Sequence, residues 1–154
     1  MSIIKKETCD YFCAQDTYLQ SKSYLDELAV TQHIYISSSF NTLGISSHNF
    51  EDYNQALVFI YSAIEISEFS TNNKIYQNNI ALAHRNLENY DKADSIYQQI
   101  LADQSISNKE RARVLSNQAN ARWESDSSYF AVPQLLDALP IRVTEKDVRG
   151  QYAS

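Results

Sequence analysis

Small side chains return at a fixed interval along this chain. Gly44, Ala81 and Ala119 are separated by 37 and then 38 residues, and Ala56, Ala93 and Ala131 keep the same two intervals. Ile60, Tyr97 and Leu135 follow the same spacing. So do Ala63, Ile100 and Ala138, and then Ile64, Leu101 and Leu139. Self-similarity at one period of this length marks an array of stacked units. Within each period, the apolar residues recur at three- and four-residue steps, the stripe of an amphipathic helix.

Composition supports helices. The 154 residues include two Gly and two Pro, too few to punctuate a strand-rich fold. A hydrophobic fraction of 44% is enough to bury a core. The first helices of the units, SSSFNTLGISSH, KIYQNNIALAHR and RVLSNQANARW, align at Gly44, Ala81 and Ala119. A small residue there lets two helices approach closely, which offsets the ~1 kcal/mol that Gly costs against Ala inside a helix. The second helices are DYNQALVFIYSAIEI, NYDKADSIYQQILAD and SYFAVPQLLDALPIR, the last with Pro133 in its first turn or just past it. The short polar turns NFED, LEN and ESDS join the helices of a pair. The segments FSTNN and QSISN join successive units and supply Ser or Thr as N-caps.

The expected fold is therefore all-α, a right-handed solenoid of antiparallel helix pairs in a single array over residues 1–154. Residues 30–70, 71–106 and 107–145 form three units. Residues 1–29 form a degenerate partial unit, with Tyr11, Ala14, Tyr18, Leu25 and Leu28 on one stripe. Residues 146–154 begin another unit, so the chain reads as part of a longer protein.

The matched residues resemble the tetratricopeptide repeat. Phe40-x2-Leu43-Gly44 and Tyr53-x2-Ala56-x3-Ile60 match the two halves of that family's pattern, and Tyr90-x2-Ala93-x3-Tyr97 matches the second half again. Ile80-Ala81 is a softened Leu-Gly. The third unit has Gln118-Ala119 in its place, with Ala131-x3-Leu135-x2-Ala138-Leu139 following. The resemblance covers residues 30–154. The periods exceed the family's usual 34, and the Pro that ends its units is missing. The closing phrase resembles the longer-period variety found in bacterial regulatory and sensor proteins and in kinesin light chains.

The resemblance implies a concave surface lined by first helices. Its expected groove residues are Asn41, Asn78, Asn79, Leu82, Arg85, Arg113, Asn117, Asn120 and Trp123. Thr42, Asn79 and Asn117 stand just before the Leu-Gly position. Asn is a poor helix former, so its recurrence here needs a reason. Its amide offers a peptide backbone one acceptor and two donors. In some relatives an Asn ladder at this place grips an extended peptide. Here the ladder has two rungs, Asn79 and Asn117, with Ile45, Leu82 and Trp123 supplying apolar contact. The bland alternative is that these Asn are solvated helix residues and that Trp123 packs between helices. The basic clamp of chaperone-binding relatives is not met, because Asn41 and Asn78 stand at its positions.

Other functions find little support. The net charge of −6 and the absence of a Lys/Arg cluster beyond Lys5-Lys6 disfavour nucleic acid and anionic membranes. No apolar run reaches transmembrane length, and the N-terminus lacks a signal-peptide core, which suggests a cytoplasmic location. Cys9 and Cys13 lie four apart, a spacing that suits one helix face better than a disulfide, and they read as reduced and partly buried, with surface thiols as the alternative. His33, His48 and His84 are isolated, and His84 falls at an aromatic core position. No metal, cofactor or catalytic constellation is expected. The leading expectation is a non-enzymatic module for a protein or peptide ligand, the interaction or sensory part of a larger bacterial signalling protein. The competing one is a structural spacer or self-association unit that forms a homodimer.

Overall fold

The computed structural model describes residues 30–67 and 73–146, and among them the fold is all-α. Cys9, Cys13, the stripe at residues 10–28, most of the FSTNN connection and the incipient unit after residue 146 lie outside these residues. The described residues form six helices in order: α1 (Val30–Asn49), α2 (Tyr53–Ile66), α3 (Asn73–Asn86), α4 (Tyr90–Ala102), α5 (Asn108–Ser125) and α6 (Val132–Thr144). The chain divides into two compact units, Met1–Tyr76 and Gln77–Ser154, and the division falls within α3.

In the first unit, α1 packs on α2. Helix α1 is rich in Ser and Thr, which ordinarily favour other conformations. Here the hydroxyls bond back to their own helix: Ser39 Oγ donates to Tyr35 O at 2.9 Å and Thr42 Oγ1 to Ser38 O at 2.9 Å. Ser37 and Ser47 are buried. Helix α2 turns Ala56, Phe59, Ile60 and Ala63 inward. The two helices meet at Gly44. A Cβ built there would strike Ile60 Cγ1 and come within 3.2 Å of the Ala56 carbonyl. Gly44 is therefore needed for the close approach and not for an unusual backbone angle.

In the second unit, Ala81, Ala93, Tyr97, Ile100, Ile106, Val114 and Ala121 form one core cluster, with Ile96 and Leu101 against it. Helix α5 is contacted by both α4 and α6. This explains why its buried residues, Ala112, Val114, Ser116, Gln118, Ala119 and Ala121, do not keep to one narrow stripe. Its start is fixed by a capping box: Glu110 N–H donates to Ser107 Oγ at 3.2 Å, and Ser107 N–H donates to Glu110 Oε2 at 3.1 Å.

The repeat is visible in the backbone. Glu51 and Glu88, 37 residues apart, take left-handed φ values of 63° and 60°. The turns around them are bonded alike: Asp52 N–H donates to Ser47 O at 3.0 Å, and Asn89 N–H to His84 O at 2.9 Å. Burial repeats as well. Ala63, Ile100 and Ala138 are fully buried, while Ile64, Leu101 and Leu139 are half-buried.

The third hairpin departs from the sequence-based expectation. Its second helix begins at Val132, not at Ser128. Ala131, matched to the fully buried Ala56 and Ala93, becomes the half-exposed N-cap. Pro133 gives the reason. It stands in the first turn, where its missing N–H costs nothing, whereas a helix starting at Ser128 would demand that N–H as a donor. Residues 126–131 instead form a longer turn, held by Ser128 N–H donating to Asp126 Oδ1 at 2.9 Å.

Two outcomes follow. Gly44→Ala gains helix propensity but overpacks the crossing, and we expect a net loss of about 1–3 kcal/mol in urea unfolding. Ile60→Ala, which removes the Cγ1 that the new methyl group would strike and itself costs about 2–5 kcal/mol, should couple favourably with it, and strict additivity of the two losses counts against the close crossing. The second outcome concerns pH. His84 is buried, and burial, then the charge of Lys92, lowers its pKa below 6.5. As pH falls, the unfolded chain takes this proton first. The stabilisation is complete above the unfolded pKa and is lost as pH falls toward the folded value. Melting temperature should drop from about pH 7 to about pH 5, and drop less in His84→Phe. An identical drop in both proteins removes His84 as its source.

Candidate functional site

Helices α3 and α5 run side by side in the second unit. Asn117 Nδ2 donates to Asn78 Oδ1 at 3.0 Å. Seven residues further along both helices, Arg85 Nε donates to Glu124 Oε2 at 2.6 Å, and Arg85 Nη2 also donates to Glu124 Oε1. Both pairs are separated by 39 residues, so the two helices are parallel. Within the first unit, the Ser37 and Tyr76 hydroxyls, also 39 residues apart, lie 3.3 Å from each other. The hydrogen bonds from Arg85 to Glu124 raise the Arg85 pKa further, so this guanidinium stays charged and committed to its partner.

This geometry locates each expected groove residue. Asn78 is buried and Asn79 half-buried. Asn117, half-buried, donates one amide hydrogen to Asn78 across the two helices. Leu82 is half-buried, Arg113 is exposed on α5, and Asn41 is half-buried on α1 in the other unit. Asn120 and Trp123 come together. Both line an open cleft of about 370 Å³ with Ser127, Ser128, Tyr129, Phe130, Ala131, Val132 and Leu135. Trp123 is 54% exposed, so it is not a packing residue.

The cleft exists because the third hairpin has the longer turn. That turn is held by a closed ring of polar contacts. Asp94 on α4 accepts from Arg122 Nε at 2.7 Å and from Gln118 Nε2 at 2.8 Å. Gln118 Oε1 accepts from Gln134 Nε2 at 2.7 Å, and Gln134 Oε1 accepts from the Tyr129 hydroxyl at 2.8 Å. The Arg122 guanidinium lies 5.8 Å from the centre of the Tyr129 ring and closes the circuit. Burial pushes the Asp94 carboxyl up, but hydrogen bonds from Arg122, Gln118 and Gln98 outweigh it and leave the pKa below the usual value.

Sequence reading missed this ring. Arg122 and Asp94 are 28 residues apart, with no local spacing to link them. One signal was present: Gln118 stands where the repeat pattern has Leu, and a polar residue at a core position needs partners. The cleft itself is aromatic, aliphatic, hydroxyl and amide in character. Such groups offer apolar contact together with hydrogen-bond donors and acceptors. Among the described residues, no three or more His, Cys, Asp or Glu gather as a metal site, and no helix is long and apolar enough to cross a membrane. No protein-family model matches this sequence, and no curated protein matches it either.

Asp94→Ala should cost about 1.5–3 kcal/mol in urea unfolding, the range for hydrogen bonds to a charged group. It should also loosen the turn beside Trp123, the sole tryptophan, and shift native-state emission to the red. Unchanged stability and emission remove the ring as the support of the cleft.

Proposed function

We propose that the chain is a non-catalytic helical-repeat module that binds a protein or peptide, with the cleft beside α6 as its anchor pocket. The carrying observation is the pairing of Asn120 and Trp123 in one open, aromatic-lined cleft. Its volume of about 370 Å³ falls within the roughly 300–1,000 Å³ usual for ligand pockets, and it is large enough for one apolar side chain of a ligand. Asn120 would supply an amide to the adjoining backbone. An exposed Trp at such a place is the kind of residue that dominates binding energy.

The repeated turns at Glu51 and Glu88 and the parallel α3 and α5 support a right-handed solenoid of the tetratricopeptide kind. The resemblance in sequence supports a role as the interaction or sensory part of a regulatory protein. A net charge of −6 favours neutral or basic ligands over acidic ones.

A peptide-display selection tests this reading. Peptides should be enriched on the parent chain and should shift its Trp123 fluorescence when titrated. Trp123→Ala should weaken the best of them at least about tenfold, roughly 1.4 kcal/mol, with helicity unchanged. Asn79→Ala/Asn117→Ala, in the same assay, separates a groove that extends along the first helices from an isolated cleft. No enrichment on the parent, or equal binding by Trp123→Ala, sinks the cleft as a binding site.

A further inference from the structure

The cleft beside Trp123 is lined by three aromatic side chains, Trp123, Tyr129 and Phe130, and by no charged one. Trp123 is 54% exposed and Phe130 71%, so both present ring surface to solvent. Tyr129 and Phe130 belong to the longer turn that the other hairpins lack. Their counterparts 38 residues earlier, Asp91 and Lys92, stay exposed at the start of α4 although a further hairpin follows. These two rings therefore do not repeat a position that packs one unit on the next. The Tyr129 ring is already in use. The Arg122 guanidinium lies 5.8 Å from its centre, within the distance at which a cation is drawn to an aromatic face. The fold thus holds one guanidinium against this aromatic set from inside. Asp94, 2.7 Å away, balances that charge, so Arg122 adds no net charge to oppose a second cation.

Charge along this part of the chain has one sign. From Trp123 to Ile141 the charged residues are Glu124, Asp126 and Asp137, with no Lys or Arg among them, and all three are exposed. Glu124 is paired with Arg85. Asp126 adjoins Ser127 of the cleft lining, and hydrogen bonds from Ser128 hold its carboxyl below the usual value, so it stays ionised. Aromatic faces beside carboxylates, on a chain of net charge −6, attract a cation and repel an anion. No carboxylate lines the cleft itself, and this separates the two basic side chains. A lysine ammonium is compact and strongly hydrated. A guanidinium is more weakly hydrated, planar, and stacks on aromatic faces.

We propose that the cleft takes an arginine side chain of a basic peptide, an inference that rests on the cleft being the binding site. The guanidinium stacks on the exposed rings of Trp123 and Phe130. Its N–H groups have acceptors in the Asn120 amide and the Ser127 and Ser128 hydroxyls. The methylene stem lies against the apolar wall at Val132 and Leu135, as long basic side chains do elsewhere.

The test titrates the full chain with blocked peptides, acetyl-Gly-Ser-X-Ser-Gly-amide, in which X is arginine, lysine, citrulline or norleucine. Emission of Trp123, the sole tryptophan, is the readout. The arginine peptide should shift the emission and saturate. Citrulline, the uncharged isostere, and lysine should each bind at least about fivefold more weakly, and norleucine more weakly still. Trp123→Leu keeps apolar bulk at an exposed site and removes the ring. Followed through the Asn120 amide signal by nuclear magnetic resonance, it should weaken the arginine peptide about fivefold and leave norleucine unchanged. Norleucine, lysine or citrulline binding as tightly as arginine overturns the proposal and leaves the cleft standing as a binding site. Equal losses of arginine and norleucine in Trp123→Leu also overturn it, since the ring then acts through bulk alone. Silence from all four peptides at millimolar concentration overturns the proposal and counts against the cleft itself.

Discussion

The distance between paired helices is set by the residue that offers least side chain at their crossing. In the first hairpin this is Gly44, which lies against Ile60 and the Ala56 carbonyl so closely that a single methyl group finds no room. In the second, Ala81 and Ala93 are both fully buried and leave the space between them to Tyr97, one of the largest fully buried side chains. Glycine against isoleucine and alanine against tyrosine are two solutions to one packing problem. Both let the chain reverse through three residues, with a left-handed Glu at the same point of each turn. The close crossing and the tight turn depend on each other. A wider crossing would pull apart the hydrogen bonds that close the turn at Ser47 and His84.

The third hairpin shows what happens when this constraint is relaxed. Pro133 delays the helix by one turn, so Ala131 leaves the crossing and Leu135 is only half-buried. The apolar contact given up there is replaced by the ring through Asp94, Gln118, Gln134, Tyr129 and Arg122. Polar closure of this kind is directional, and it holds only if every member is satisfied. It fixes the longer turn at a defined place without filling the space beneath it. The cleft beside Trp123 is what remains of the missing packing.

Much of the fold was legible because it rests on local rules. The interval between Gly44 and Ala81, the Ser N-cap within QSISN and the stripe of α4 all come from side-chain size, capping chemistry and helical period, which a sequence carries openly. The late start of α6 was half-legible: Pro133 was visible, but its consequence for Ala131 depends on where the turn finds its bonds. The ring was hidden because its members come from three helices and a turn. Of the expected groove residues, Asn120 and Trp123 were placed together by α5 alone, one helical turn apart. Arg85 could not be read correctly by itself, since its role depends on Glu124 in the next helix pair.

The same register position does opposite work in successive units. Asp94 on α4 corresponds to Val132 on α6, 38 residues later. On α4 that position carries the carboxylate that binds α5 through Arg122 and Gln118, a contact specific for one neighbour in one orientation. On α6 it carries an exposed valine that forms part of the cleft wall. The position that fixes one helix against the next in the earlier unit is therefore left, in the later one, to shape the open space beside Trp123.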